Sequence, residues 1–516
     1  MTSKVLHNLQ SDVFRNYFLN KIHLEKVIDF SAVSEHLFTK SKGAQNTTGP
    51  CSFIVHNWSD SSRSKNLIKH YAPKLNRLFR IFKILTIQKL DYKKISQQDL
   101  IINDWAWKVY LYGNNLDFKF IKHLKSNYKS IKEVTSNKRF VQGRGMQPNG
   151  ESDPDTKHLQ NIELIDSSKD LSRYHVSINP NTVWWIGKGK NKKIWDRATA
   201  FRSTKKLYEQ GLFDGNTLLI TKGLTSNYFA VAAYCDKRAI FRDAISGIKA
   251  KFSDDIILLK TLTGLLNSIF FSYFIFGIGS STGIERKQVH NIEKFSLPSA
   301  NNDLIATFTD EISTVKSQLK KLNNQKDKIF SEKIDLDLQK RQLEHKIGIL
   351  EEKIEKEIHK IFNFTEEEKA LINYSQEISI PLFRGESKPF EKVNKTHLKT
   401  YAKVFQDYFS QVFNRPNKYF QVEILESPFM IGLRFKIVKN KPKKWLIHKK
   451  DKKQELILGL LSTIAFEQIT DRVFIQKDVK IVNKDSFCII KPNEYKCWHE
   501  AVAYLDLDEF IPALLR

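Results

Sequence analysis

The chain has 516 residues, enough at about 150 residues per domain for roughly three or four domains. Hydrophobic residues make up 41 %, which excludes wholesale disorder, and Lys+Arg 84 against Asp+Glu 57 leaves a net charge of +27. A surplus that large favours a polyanionic partner, nucleic acid or an anionic membrane surface. Four cysteines (Cys51, Cys235, Cys488, Cys497) never fall as C-x-x-C, which excludes a disulfide scaffold and predicts a reducing, cytoplasmic setting.

In chain order, MTSKVLHNLQ at the N-terminus has no uninterrupted apolar run, so no signal peptide is expected. Phe14 to Phe38 predicts an amphipathic helix before a short strand, VIDF, and Cys51 to Trp58 a second buried strand. Residues 1–60 therefore read as part of an α/β domain. Residues 61–142 carry about half of the whole positive excess and read as a basic helical connector. Such a stretch suits a phosphate backbone or, equally, forms a solvated helix face. Within it, Asp104 to Leu124 predicts two helices broken near Gly113, with Trp105, Trp107, Tyr110 and Tyr112 as packing residues.

Residues 143–308 open with a loop, GRGMQPNGESDPD, followed by strand-like TVWWIG, LLITKG and YFAVAAYC. The insert Lys188 to Lys206 is basic and carries Trp195 and Phe201; it suits phosphate contact with groove packing, or an exposed hairpin. Thr261 to Ile284 has no charged residue, but Asn267, Ser268 and Ser272 interrupt it. Its densest apolar part, Leu265 to Ile278, has the length of a buried core helix, so no membrane partner is expected. Over 309–380, Ile312, Val315, Leu319 and Leu322, then Leu343, Ile347, Leu350 and Ile354, recur at helical spacing; a break around FSEKIDLDLQ predicts an antiparallel helical pair. Thr365 before Glu366, Glu367 and Glu368 is a helix N-cap, and Pro381 to Asn394 reads as a linker. Residues 395–516 read as a separate small α+β domain with strands VEILES, GLRFKIVK, WLIHKK, VFIQ, VKIVN and FCIIK, a helix ELILGLLSTIAF and a last helix near Asp508. The expected fold class is thus multidomain α/β and α+β.

Chemistry-bearing motifs are few. The sequence has no G-x-x-x-x-G-K-[ST], no H-E-x-x-H, no G-x-S-x-G and no kinase signature. Cys488, Cys497 and His499 match no zinc spacing, so no catalytic, cofactor-binding or metal-ligating residue is nominated.

LLITKGLTSNYFAVAAYCDKRAIFRDAISGIK (Leu218 to Lys249), GLLNSIFFSYFIFGIGSSTGIERKQV (Gly264 to Val289) and FSLP (Phe295 to Pro298) together resemble a target recognition domain. The likeness is to N6-adenine DNA methyltransferases of the type IIG restriction–modification and BREX-type phage-defence kind. Phe14 to Phe38 resembles the end of that family's catalytic domain, and Asp104 to Leu124 its connector. The resemblance implies double-stranded DNA as partner. Arg144, Lys188, Lys190, Lys192, Lys193, Arg202, Lys222, Arg238, Arg242, Arg286 and Lys287 are the candidate contacts. The family's Asn-Pro-Pro-Tyr/Phe motif, which holds a flipped adenine, and its glycine-rich S-adenosylmethionine loop do not occur. Asn179-Pro180 lacks the second proline, and the resemblance places Met1 just after the point where the catalytic motif would stand. The expectation is a chain inactive alone and without its own cofactor, serving a catalytic methyltransferase half that binds S-adenosylmethionine. That half is a separate polypeptide or a missing part of this one. A stand-alone DNA-binding defence sensor or regulator is the other reading.

Overall fold

The computed structural model describes residues 3–37, 51–56, 65–152, 159, 162–187, 189–196, 199–202, 205–280, 289–323, 330–412, 418–449, 456–461, 465–483 and 485–514. It is a mixed α/β, multidomain chain of two compact units. The described residues of Met1–Phe120 and Thr365–Arg516 form the first, and those of Ile121–Thr282 and Arg286–Phe364 the second.

In the first unit, alternating side chains build a four-stranded sheet. Ile68 and His70 of the strand Leu67–Tyr71 are buried while Leu67 and Lys69 face out, the period of two that a pleated strand imposes. That strand runs parallel to His23–Asp29 and antiparallel to Tyr92–Ser96, and Cys51–His56 pairs antiparallel on the far side of His23–Asp29. The helix Asp12–Lys21 is tied down through buried Arg15, which donates to the carbonyls of Val5 (2.9 Å) and Asn8 (2.7 Å) and pairs with Asp104. Residues 61–142, read as a helical connector, thus supply Leu67–Tyr71, Leu85–Gln88 and Tyr92–Ser96 as strands before the helices Ala106–Tyr112 and Asn115–Asn127.

The C-terminal segment folds a five-stranded sheet in the order Leu446–Lys449, Tyr419–Glu426, Met430–Val438, Ser486–Pro492, Val479–Asn483. Helices Lys395–Val412 and Glu500–Leu514 cover it through Phe405, Phe409, Phe435, Phe487 and Trp498. This segment also pairs with the N-terminal part of its unit: Val473–Gln476 runs parallel to Leu85–Gln88, and Gln88 Nε2 donates to Gln476 Oε1 at 2.8 Å. The stretch read as a linker is packed, with Leu382 and Phe390 meeting Val33, Leu75 and Phe79 in one cluster. Of the expected helix ELILGLLSTIAF, the described residues 456–461 are helical, and its last residue, Phe466, opens the strand Phe466–Thr470.

The second unit centres on an antiparallel sheet ordered Ala230–Cys235, Thr217–Leu224, Ile245–Ala250, Phe140–Arg144. Its apolar run is bent rather than straight. Helices Ser253–Leu266 and Ile269–Ile278 meet at 68°, and among the described residues no single helix is long and apolar enough to cross a membrane. The bend falls at Asn267, whose Nδ2 donates to the Ala232 carbonyl (2.7 Å) while its Oδ1 accepts from the Ala232 N–H (3.3 Å). An asparagine side chain therefore occupies the sheet edge where another strand would bond. Ser268 then caps the second helix, its Oγ accepting from Phe271 N at 3.0 Å. Helices Asp303–Asn323 and Phe330–Ile361 pack on each other and on this core. Lys353 lies over the Phe308 ring, and Gly264 leaves room for Ile305, Thr309 and Ile354 around it.

Candidate functional site

One end of the central sheet of the second unit gathers most of the basic residues singled out in the sequence. There Phe241 leads into the turn Arg242–Ile245, closed by the Ile245 N–H donating to the Arg242 carbonyl at 2.8 Å. Two segments converge on this turn through backbone hydrogen bonds. The Gly145 N–H donates to Ile245 O (2.9 Å), Met146 N–H to Phe241 O (2.7 Å) and Lys222 N–H to Ala244 O (2.8 Å). The register sets Arg144 opposite Ser246 and Thr221 opposite Ile245. Arg144 and Lys222 are exposed, and Arg242 is half-buried. Gly145 is required by this convergence: a Cβ there would stand 2.2 Å from the Phe241 carbonyl oxygen and 2.3 Å from that of Arg242.

The hairpin Trp185–Ile186 with Lys193–Ile194 abuts the same turn. Arg242 Nη1 donates to the Trp185 carbonyl at 3.2 Å, and its guanidinium sits 5.8 Å from the Trp184 ring centre. Trp184 and Trp195 stack at 5.1 Å inside the core. Trp195, expected to pack into a groove, is thus an inward anchor. Trp185 is the ring left in solvent, 44 % exposed, with Lys192 Nζ 4.9 Å from its centre. Lys190 and Lys193 are exposed on the same hairpin. Gly187 takes φ +84°, and a Cβ there would meet the Asn191 carbonyl oxygen at 2.3 Å, so the hairpin closes on a glycine.

Two groups at this end were not singled out in the sequence. Asn291 Nδ2 donates to Ser246 Oγ at 2.6 Å. The fully buried ammonium of Lys294 donates to the carbonyls of Thr221 and, at 3.0 Å, Lys222. Burial pulls the Lys294 pKa down to about 7, Lys222 lowers it further, and Glu293 opposes both. A buried lysine on a four-residue helix carries no motif, so only its carbonyl partners reveal it.

Arg238 lies elsewhere. It follows Cys235 at the opposite end of the sheet, pairs with Asp214 at 3.2 Å and lies over the Tyr208 ring. Arg202 is in the strand Thr199–Arg202, opposite Gln147. Lys188, Arg286 and Lys287 lie outside the described residues.

The arrangement is a basic surface at one sheet end, with exposed ammonium and guanidinium groups and an exposed indole. Among the described residues no group of three or more His, Cys, Asp or Glu side chains could hold a metal ion. In the first unit, the strand His23–Asp29 runs into Phe30 and the turn Ser31–Val33 without a glycine. Its Asp29 carboxylate already accepts from Ser31 N (2.9 Å) and bonds His7 Nε2 (2.7 Å).

No family model and no curated protein matches the chain. Solved structures do. The chain is similar to MmeI, a type IIL restriction–modification enzyme solved in complex with DNA, at 12 % identity and a TM-score of 0.35, covering 74 % of this chain and 49 % of that one. It is also similar to the type IIG restriction endonuclease BpuSI, at 12 % identity and a TM-score of 0.25, covering 60 % of this chain and 41 % of that one. The chain thus spans half or less of the length of each.

Proposed function

We propose that this chain is the DNA-recognition part of a restriction–modification or phage-defence adenine methyltransferase. The reading rests chiefly on the convergence of Arg144, Lys222, Arg242 and the Trp185–Lys192 hairpin on one turn. The turn is formed by the FRDAISGIK segment, within the block that resembles target recognition domains. Lysines and Arg144 would grip phosphates of a duplex, while Arg242 and groups beside it would reach base edges. The +27 charge supplies the long-range attraction. Lys188, Arg202, Arg286 and Lys287 are proposed as further contacts to the duplex. Methyl transfer would belong to a catalytic half carrying S-adenosylmethionine and the Asn-Pro-Pro-Tyr/Phe motif, which is absent from this sequence.

Selection from a random duplex library with the purified chain tests the reading. An enriched recognition sequence, abolished or relaxed in Arg242→Ala, is the expected result. A library recovered without sequence preference would overturn the recognition role, and failure to retain duplex at low salt would overturn DNA binding itself.

A further inference from the structure

The first unit contains a cavity of about 470 Å³ that the proposed DNA surface does not use. Its volume lies in the range of small-molecule sites. Three rings, Tyr92, Tyr112 and Tyr374, and the apolar side chains of Leu90, Val502 and Leu505 wall it. Lys93 and Lys94 of the strand Tyr92–Ser96, the first buried and the second exposed, line it together with Lys89 of the turn before. The lining carboxylate Glu509 is bound to Lys89 at 2.8 Å, leaving the other two lysines as a positive excess.

Lys93 is the informative residue. It is only 7 % exposed, and among the described residues its ammonium pairs with no carboxylate; its hydrogen bond goes to the neutral Tyr110 carbonyl at 3.0 Å. Asp91, paired with Lys74 at 3.3 Å, and Asp117, which accepts from the Asn114 N–H at 2.8 Å, favour the Lys93 charge from a distance without pairing with it. Burial holds the Lys93 pKa well below the usual lysine range and Lys74 lowers it further, with Asp91 and Asp117 opposing both. A buried cation beside an open cavity is stabilised by an anion placed there. Asn114 and Asn115, at the start of a 13-residue helix, line the wall and add polar side chains to it.

We propose that this cavity binds a small planar-ring anion of the nucleotide class, its ring between the tyrosines and its phosphate on Lys93 and Lys94. The phosphate could come from a free mononucleotide or from the end of a nucleic-acid strand, since both present the same ring and charge.

The test is photo-crosslinking of the full chain with 8-azido-dAMP, mapped by mass spectrometry, beside calorimetry with dAMP, deoxyadenosine and a 5′-phosphorylated single strand. Expected are crosslinks on Tyr92, Tyr112 or Tyr374, and at least tenfold weaker binding of deoxyadenosine than of dAMP. Lys93→Met should lose dAMP binding. Lys94→Glu, at an exposed position that leaves folding intact, should weaken it at least fivefold. Binding of dAMP assigns the site to free nucleotides, and binding of the phosphorylated strand alone assigns it to strand ends. No binding of either probe at millimolar concentration, crosslinks elsewhere, or affinity unchanged in Lys94→Glu would overturn the proposal.

Discussion

His70 shows how much a single buried side chain can decide. It lies fully inside the first sheet, with neither ring nitrogen hydrogen-bonded, 6.2 Å from the Trp107 ring. Burial pushes its pKa down to about 3, and the Lys93 charge adds to the shift. Because the folded value lies below the ordinary 6.5, the unfolded chain binds the extra proton. Stability is therefore full above pH 6.5 and falls as the pH drops toward 3. Urea unfolding followed through tryptophan fluorescence should show a loss of up to about 1.4 kcal/mol per pH unit from this group below pH 6. His70→Leu should remove that component, and an unchanged pH slope would count against the burial argument. At the proposed DNA surface the residues divide by partner. Lys192→Ala, which removes an exposed charge over Trp185, should weaken all duplexes alike. Arg242→Ala should also relax sequence preference, by about 1–3 kcal/mol at the base it reads. Competition binding with single-base variants of the selected site separates the two.

At the scale of elements, the apolar run Leu265–Ile278 was legible as a core segment because its composition says so. Its bend was not, because it depends on Asn267 bonding the backbone of Ala232, 35 residues away. Replacing Asn267 with leucine keeps the branched shape but strands a buried N–H, so a loss of about 1–3 kcal/mol is expected in urea unfolding of the second unit. Stability equal to wild type would mean that the sheet edge is satisfied some other way. The FRDAISG turn was legible as part of a resemblance, but not the reason for Gly145, a close approach by carbonyls nearly a hundred residues further along the chain. Gly145→Ala should cost about 1–3 kcal/mol through overpacking against the Phe241 and Arg242 carbonyls, and reduce duplex binding with it. Circular dichroism melts and binding on the same sample decide whether the two effects travel together.

For the whole molecule, sequence patterns revealed which stretches are apolar, basic or helical, and they placed Arg144, Lys222 and Arg242 in one block. They did not reveal that Leu85–Gln88 pairs with Val473–Gln476, because a parallel pairing across some 388 residues leaves no local signal. Nor did they separate Arg238, engaged with Asp214 at the far end of the sheet, from the arginines at the turn. Charge is the property that spans these scales. The central claim is that basic groups at one sheet end hold a duplex by its phosphates, and the salt dependence of duplex binding tests it most directly. The account predicts that log K falls linearly with log salt, and that Arg144→Ala/Lys192→Ala/Lys222→Ala flattens the slope by about 0.9 for each phosphate no longer neutralised. Binding that is insensitive to salt, or a slope that the triple variant leaves unchanged, would contradict it.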